Sequence, residues 1–236
     1  MSNIQINPYI VAPVVPFDPL SISDMKGWWD SSDITTITKD GSNFVSVWGD
    51  KSGNSYDMIT NGGDPLWVSS GKNGLDVIDF AGSKSLKVTA EILTQPTTYC
   101  VACLVPVDDV NTRVIFRFGV GLFTKYVKTN VGTGQLALES GGGLNVVTSP
   151  SVANTWQSQI LVVNGASSEI IVDDVSLISG NAGADSPSDV WYLQVNATNN
   201  NQYGDSQIGE MIVYEKLLTA TEISDVNTYF VNKWGL

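Results

Sequence analysis

Residues 25–58 read MKGWWDSSDITTITKDGSNFVSVWGDKSGNSYDM. Phe44, Val45, Ser46, Val47 and Trp48 alternate in character, which predicts a strand with one buried face and one face toward water or a shallow groove. Asp50, Ser52, Asn54 and Asp57 then crowd their oxygens into one short loop. Such a loop can bind a cation, form the wall of a binding site, or simply turn the chain. In an EF-hand reading Asp50, Ser52 and Asn54 take ligand positions one, three and five. Ser55 then replaces the required glycine, and Asn61 stands where a bidentate glutamate belongs. That reading fails. A strand-connecting turn fits better, with Asp and Asn folded onto backbone amides and Gly53 at positive φ. Calcium on Asp50, Ser52, Asn54 and Asp57 is the alternative, expected to do little for folding.

Outward from this stretch the chain repeats one grammar. Short β-rich runs (LDVIDF, TTYCVACLV, RVIFRFG, WQSQILVV, SEIIVDD, VWYLQV, IGEMIVYE) are separated by clusters of Gly, Asn, Asp, Ser and Pro. Many short strands between regular turn signals predict an antiparallel sandwich or barrel. The C-terminal LTATEISDVNTYFVNKWGL differs. Thr219 and Glu222 have capping-box spacing, Ile223, Val226, Phe230 and Trp234 form one apolar stripe, and Gly235 supplies a stop. This helix is expected to close one end of the sandwich.

The 236 residues carry 12 basic and 24 acidic side chains, a net charge of -12, and no histidine. The acidity disfavours nucleic acid and anionic membranes as partners. The missing histidine removes Ser-His-Asp and Cys-His catalysis and His-based zinc sites. No apolar run approaches the ~20 residues that span a bilayer. Cys100 and Cys103 lie three apart in a strand pattern, on opposite faces and ~10 Å apart, so they are expected as buried, reduced thiols.

The N-terminal MSNIQINPYIVAPVVPFDPL lacks the basic start of a signal peptide, which predicts synthesis without export. Its four prolines favour extended chain. Ile4, Ile6, Tyr9, Ile10, Val14, Val15 and Phe17 make it too apolar for a solvated linker. Residues 1–23 therefore read as an arm that needs a surface, supplied by its own domain or by a partner. Strands are expected only from about Lys26, so loss of residues 1–20 should leave melting nearly unchanged.

The quoted residues carry a resemblance. Val45, Ser46, Trp48, Asp50, Ser52, Gly53 and Asn54 are similar to the V-S-x-W-x-D-x-S-G-N segment of laminin-G-like, concanavalin A-type domains. NGLDVIDFAGSKSL resembles their N-G-x-x-x-x-F-x-G-x-x-x-L, and residues 208–236 resemble their last strand and closing helix. The resemblance implies an all-β, concanavalin A-like antiparallel β-sandwich (jelly roll) with one C-terminal helix over residues 24–236. It leaves function open, because the fold hosts lectins, adhesion modules, glycanases and virion proteins.

A retaining glycanase needs two carboxyl groups ~5.5 Å apart. Glu169 and Asp173 share a face but stand ~13 Å apart along a strand, Asp173-Asp174 resembles a hairpin turn, and Glu210 has no partner two residues on. No catalytic dyad emerges. The richest loop for sugar hydroxyls is VNATNNNQYGDS, with Asn199, Asn200, Asn201, Tyr203 and Asp205. Domains resembling this one occur in phage particles. The expected function is a non-enzymatic virion structural protein, a capsid decoration or tail component at the virion surface. It would bind capsid or tail subunits and copies of itself through its arm, without a cofactor. A glycan-binding host-adhesion module is the alternative, and a glycan hydrolase fits least.

Overall fold

The computed structural model describes residues 16–106, 113–118, 125–129, 135–140, 146–147, 154–185, 189–194 and 204–236. Two antiparallel sheets pack face to face, as the strand-and-turn grammar predicts. The eight-stranded sheet runs Val175–Gly180, Ser168–Val172, Trp156–Val163, Thr97–Leu104, Gln207–Tyr214, Leu75–Asp79, Leu66–Lys72. Its eighth strand, Met25–Asp30, shares one edge of Gln207–Tyr214 with Leu75–Asp79. The other sheet runs Val146–Val147, Gln135–Glu139, Lys125–Thr129, Arg113–Phe118, Val190–Leu193, Leu86–Thr89, Met58–Thr60, Val45–Trp48, Ile37–Lys39.

Between the sheets lies an aromatic-rich core that includes Trp29, Trp48, Phe80, Tyr99, Phe116 and Trp191. Trp29 is fully buried and donates from Nε1 to the Tyr56 carbonyl at 3.0 Å. Its ring meets Trp191 edge-on, 6.2 Å between centroids. The ring is accommodated because residue 27 is glycine: a Cβ there would stand 2.2 Å from Trp29 Cη2.

The eight-stranded sheet is apolar on both faces. In Thr97–Leu104, Tyr99, Val101 and Cys103 enter the inter-sheet core, while Cys100 and Ala102 face a second core. Val77, Ile160, Ile212 and Tyr214 join that second core, and Val226, Phe230 and Trp234 of the helix Ala220–Trp234 cover it. The helix thus lies over the outer face of this sheet rather than closing one end of the sandwich. Two apolar faces on one sheet need a third layer, and the helix stripe supplies it. Its ends follow the sequence: a Thr219–Glu222 capping box and Gly235 at φ 64°. Trp234 stacks on Trp156 with 6.3 Å between ring centroids and rests over Gly209, where a Cβ would come within 2.8 Å of the ring.

Both cysteines are buried and free, one in each core. Burial pushes both thiols well above their ordinary range. Native protein should therefore leave Ellman's reagent unreacted over hours, and denaturant should release two thiols per chain. Rapid titration of either thiol in the native state would show that the strand opens locally.

Two expectations need correction. The Phe44–Trp48 alternation does not survive: Val45 and Trp48 are buried, Ser46 is exposed and Val47 is half-buried. A register shift opposite Thr38 and Lys39 inserts the extra residue that rotates this strand. The arm also joins the domain earlier than Lys26. Pro19 and Ile22 are buried, the Tyr214 hydroxyl donates to the Pro19 carbonyl at 3.0 Å, and Asp18 caps the 3-10 turn Pro19–Ser21. A cut at residue 20 would strip that hydroxyl of its acceptor and bare the second core, so melting would not stay unchanged.

Candidate functional site

The Asp50 loop is a turn that ties the two sheets together. Asp50 Oδ1 accepts from the Trp28 and Ser52 amides, each at 2.9 Å. Its Oδ2 accepts from the Ser52 hydroxyl at 2.7 Å and the Tyr56 amide at 3.0 Å. Asp57 Oδ1 accepts from the Asp50 amide at 2.9 Å. Asn54 Nδ2 lies 3.2 Å from the carbonyls of Met25 and Lys26, and Gly53 has φ 92°. The four oxygen-rich residues fold onto backbone groups, as Asx chemistry predicts.

Glu210 sits at the centre of a larger network. It is fully buried and projects toward the helix. Trp28 Nε1 at 2.6 Å and the Tyr229 hydroxyl at 2.8 Å donate to Oε1. Lys233 Nζ at 2.7 Å and Trp234 Nε1 at 3.0 Å donate to Oε2. Lys233 also pairs with Asp30 at 2.8 Å, and Lys51 pairs with Asp30 and Asp33, each at 3.0 Å. Burial pushes the Glu210 carboxyl above its ordinary value, against the pull of Lys233. For Asp30 burial also pushes upward, but Lys233, Ser32 and Lys51 hold it below its ordinary value. Four donors on a carboxylate with no solvent contact describe a brace between helix and sheet, with no room for substrate.

The other acidic candidates are also placed. Val172 and Val175 pair across a two-residue turn, Asp173 at φ 50° and Asp174 at φ 63°, the signature of a type I′ hairpin. Asp173 Oδ1 accepts from the Ser158 amide at 2.9 Å, while Glu169 pairs with Ser179 in the middle of its strand. Asp205 accepts from the Gly82 amide at 3.1 Å. Asn199, Asn200, Asn201 and Tyr203 lie outside the described residues, as do Ile4, Ile6, Tyr9, Ile10, Val14 and Val15. Phe17 packs against Tyr229 of its own chain, 5.8 Å between ring centroids.

A different set of residues comes together on the outer face of the nine-stranded sheet. Ile59 pairs with Lys87, Lys87 with Tyr192, and Tyr192 with Arg117. The register continues through Lys125 to Glu139. Leu86, Val88, Trp191, Leu193 and Phe116 enter the core, so their alternating neighbours Lys87, Tyr192 and Arg117 face outward. Lys87 and Tyr192 are half-buried, and Ile59 is 49% exposed. Arg117 is 2% exposed. Burial pushes its pKa down, while neighbouring Tyr192 and Glu139 push it up. The result is a half-buried tyrosine beside a half-buried lysine, with a solvent-shielded arginine on its other side and an apolar shoulder at Ile59. The alternation in VWYL and RVIFRF marks these side chains as outward-facing, but which strands lie side by side is not written in either segment.

No protein-family model and no curated protein matches the chain. Solved structures do. Domain 4 of AbnA, a GH43 extracellular arabinanase from Geobacillus stearothermophilus, in complex with arabinotriose, aligns with TM-score 0.64 at 15% identity, over 86% of this chain and 98% of that one. The binding domain of Paraclostridial Mosquitocidal Protein 1 aligns with TM-score 0.62 at 13% identity, over 89% of this chain and 52% of that one. A Trypanosoma rangeli sialidase mutant displaying trans-sialidase activity aligns with TM-score 0.61 at 12% identity, over 89% of this chain and 33% of that one. The chain thus spans nearly all of the arabinanase domain, about half of the mosquitocidal-protein binding domain and a third of the sialidase. These likenesses show the fold, an antiparallel β-sandwich consistent with the concanavalin-like type and found here in enzymes and in binding domains. Among the described residues, no helix is long and apolar enough to cross a membrane.

Proposed function

We propose that this domain is a non-catalytic carbohydrate-recognition module whose binding face is the Ile59–Lys87–Tyr192 row. The carrying observation is the half-buried Tyr192 placed beside Lys87 on the face turned away from the core. A tyrosine ring takes the apolar face of a sugar, and flanking donors take hydroxyl or carboxylate oxygens. Adjacent strands are ~4.8 Å apart, so the three positions span ~10 Å, suited to a short oligosaccharide. Neighbours of this fold include one solved with arabinotriose and two binding domains of toxins, which supports recognition as the role.

Screening on immobilised oligosaccharides followed by calorimetry tests the proposal. Tyr192→Ala should weaken the best glycan by about tenfold, or 1.4 kcal/mol, with Lys87→Ala weakening it less and Glu169→Gln leaving it unchanged. An unchanged affinity in Tyr192→Ala would move the site elsewhere. Release of reducing sugars that stops on replacing Glu169, Asp173 or Glu210 would overturn the non-catalytic part.

The apolar residues before Pro16 favour a narrower second reading, in which the module is displayed on a phage capsid or tail. Copurification with a particle tests it, and copy number there separates a capsid decoration from a tail component.

A further inference from the structure

A groove of about 520 Å³ runs between Phe17 and the exposed side of the C-terminal helix, on the face opposite the Tyr192 row. We propose that it is a second binding site, one that takes a small aliphatic ammonium.

The helix supplies one wall. Asp225, Thr228, Tyr229 and Asn232 stand three and four residues apart, so they share one helix face, and all four line the groove. Phe17 and Pro16 supply the other wall. The Phe17 and Tyr229 rings are half-buried and tilted by 58°, with 5.8 Å between their centroids. Such rings cover the aliphatic body of a ligand, and their π faces attract a cation. A groove of this volume holds a small molecule.

Charge selects the sign of the ligand. Asp225 is exposed and forms no ion pair among the described residues. Asp18, next to Phe17 in the chain, is exposed as well. The cation in the lining is Lys233, and it is already committed: its Nζ lies 2.7 Å from Glu210 and 2.8 Å from Asp30. Burial pushes the Tyr229 hydroxyl above its ordinary value, and Glu210, Asp30 and Asp18 push it further. That is the behaviour of a ring in a negative field. An anion would therefore be repelled, and a neutral alcohol would gain the ring contact alone. An ammonium gains the rings, the Asp225 carboxylate and the side-chain oxygens of Thr228 and Asn232 as acceptors. The site lies apart from the Tyr192 row and does not depend on the glycan reading.

Titration of the full chain with n-butylammonium chloride, followed by NMR of the helix amides, tests the assignment. n-Butanol and butyrate serve as neutral and anionic counterparts, at ionic strength matched with sodium chloride. Saturable shifts should concentrate in residues 225–233, with n-butanol about tenfold weaker and butyrate without saturation. Asp225→Asn, an exposed substitution that should leave melting unchanged, should weaken n-butylammonium by roughly twofold to fivefold. Thr228→Trp fills the groove and should abolish the shifts. Tyr192→Ala should change nothing, which separates this site from the glycan row. Equal affinity for n-butylammonium and n-butanol would overturn the proposal. So would saturation unaltered by Asp225→Asn, or saturable shifts that map outside the helix.

Discussion

Glu210→Ala is expected to lower the melting temperature by roughly 6–20 °C. Removing one partner of a buried ion pair costs about 3–5 kcal/mol, and a domain of this size loses about 2–4 °C per kcal/mol. The loss has identifiable parts: the indole N–H groups of Trp28 and Trp234 and the Tyr229 hydroxyl lose their acceptor, and the Lys233 ammonium is left with Asp30 as its partner. A melting shift under about 2 °C for Glu210→Ala would mean that water fills the site, and that Glu210 is not the brace. Acid should act on the same network through Asp30. Its carboxyl is held below its ordinary value, so its contribution is complete above the unfolded value of about 3.9 and is lost as pH falls below that. Asp30→Asn should flatten that limb. Glu210, shifted upward, works in the opposite sense, contributing most at low pH and losing its contribution as pH rises.

Trp29→Ala should be comparably damaging, at about 3–5 kcal/mol for a buried tryptophan, again roughly 6–20 °C. It empties the contact with Trp191 and removes the donor to the Tyr56 carbonyl. The informative variant is its neighbour. Gly27→Ala alone should cost about 1–3 kcal/mol by overpacking, because its new methyl collides with the Trp29 ring. Once that ring is gone the collision is gone, so the double variant should be more stable than the two single costs summed, by a margin a double-mutant cycle resolves. Strict additivity would show that the Gly27 backbone, not the ring, is what resists a side chain.

What the sequence discloses here is local chemistry. The capping box at Thr219, the stop at Gly235, the Asp173-Asp174 turn and the opposed faces of Cys100 and Cys103 each depend on residues a few positions apart. The fold class follows from their sum. The layer in which the helix sits depends on a sheet being apolar on both sides, which is visible in TTYCVACLV only once its neighbours are known. The Phe44–Trp48 pattern misleads because the strand itself carries one extra residue, Ser46, opposite the Thr38–Lys39 step, which breaks the alternation. Glu210 reads in the sequence as a strand carboxylate with no acidic partner two residues on, because its partners lie at positions 28, 229, 233 and 234, brought together only by packing. The Tyr192 row is assembled from strands far apart in sequence, so register, not composition, creates it.

The third layer has a consequence for how this domain would be mounted. Phe17, next to the first described residue, and Leu236 both pack in the helical layer. Any tether leaving from either end therefore departs from the back of the molecule. The Tyr192 row lies at the front, behind two sheets' thickness. A larger assembly could grip the back without shading the front, and the helix and its indole contacts would bear the load of that grip.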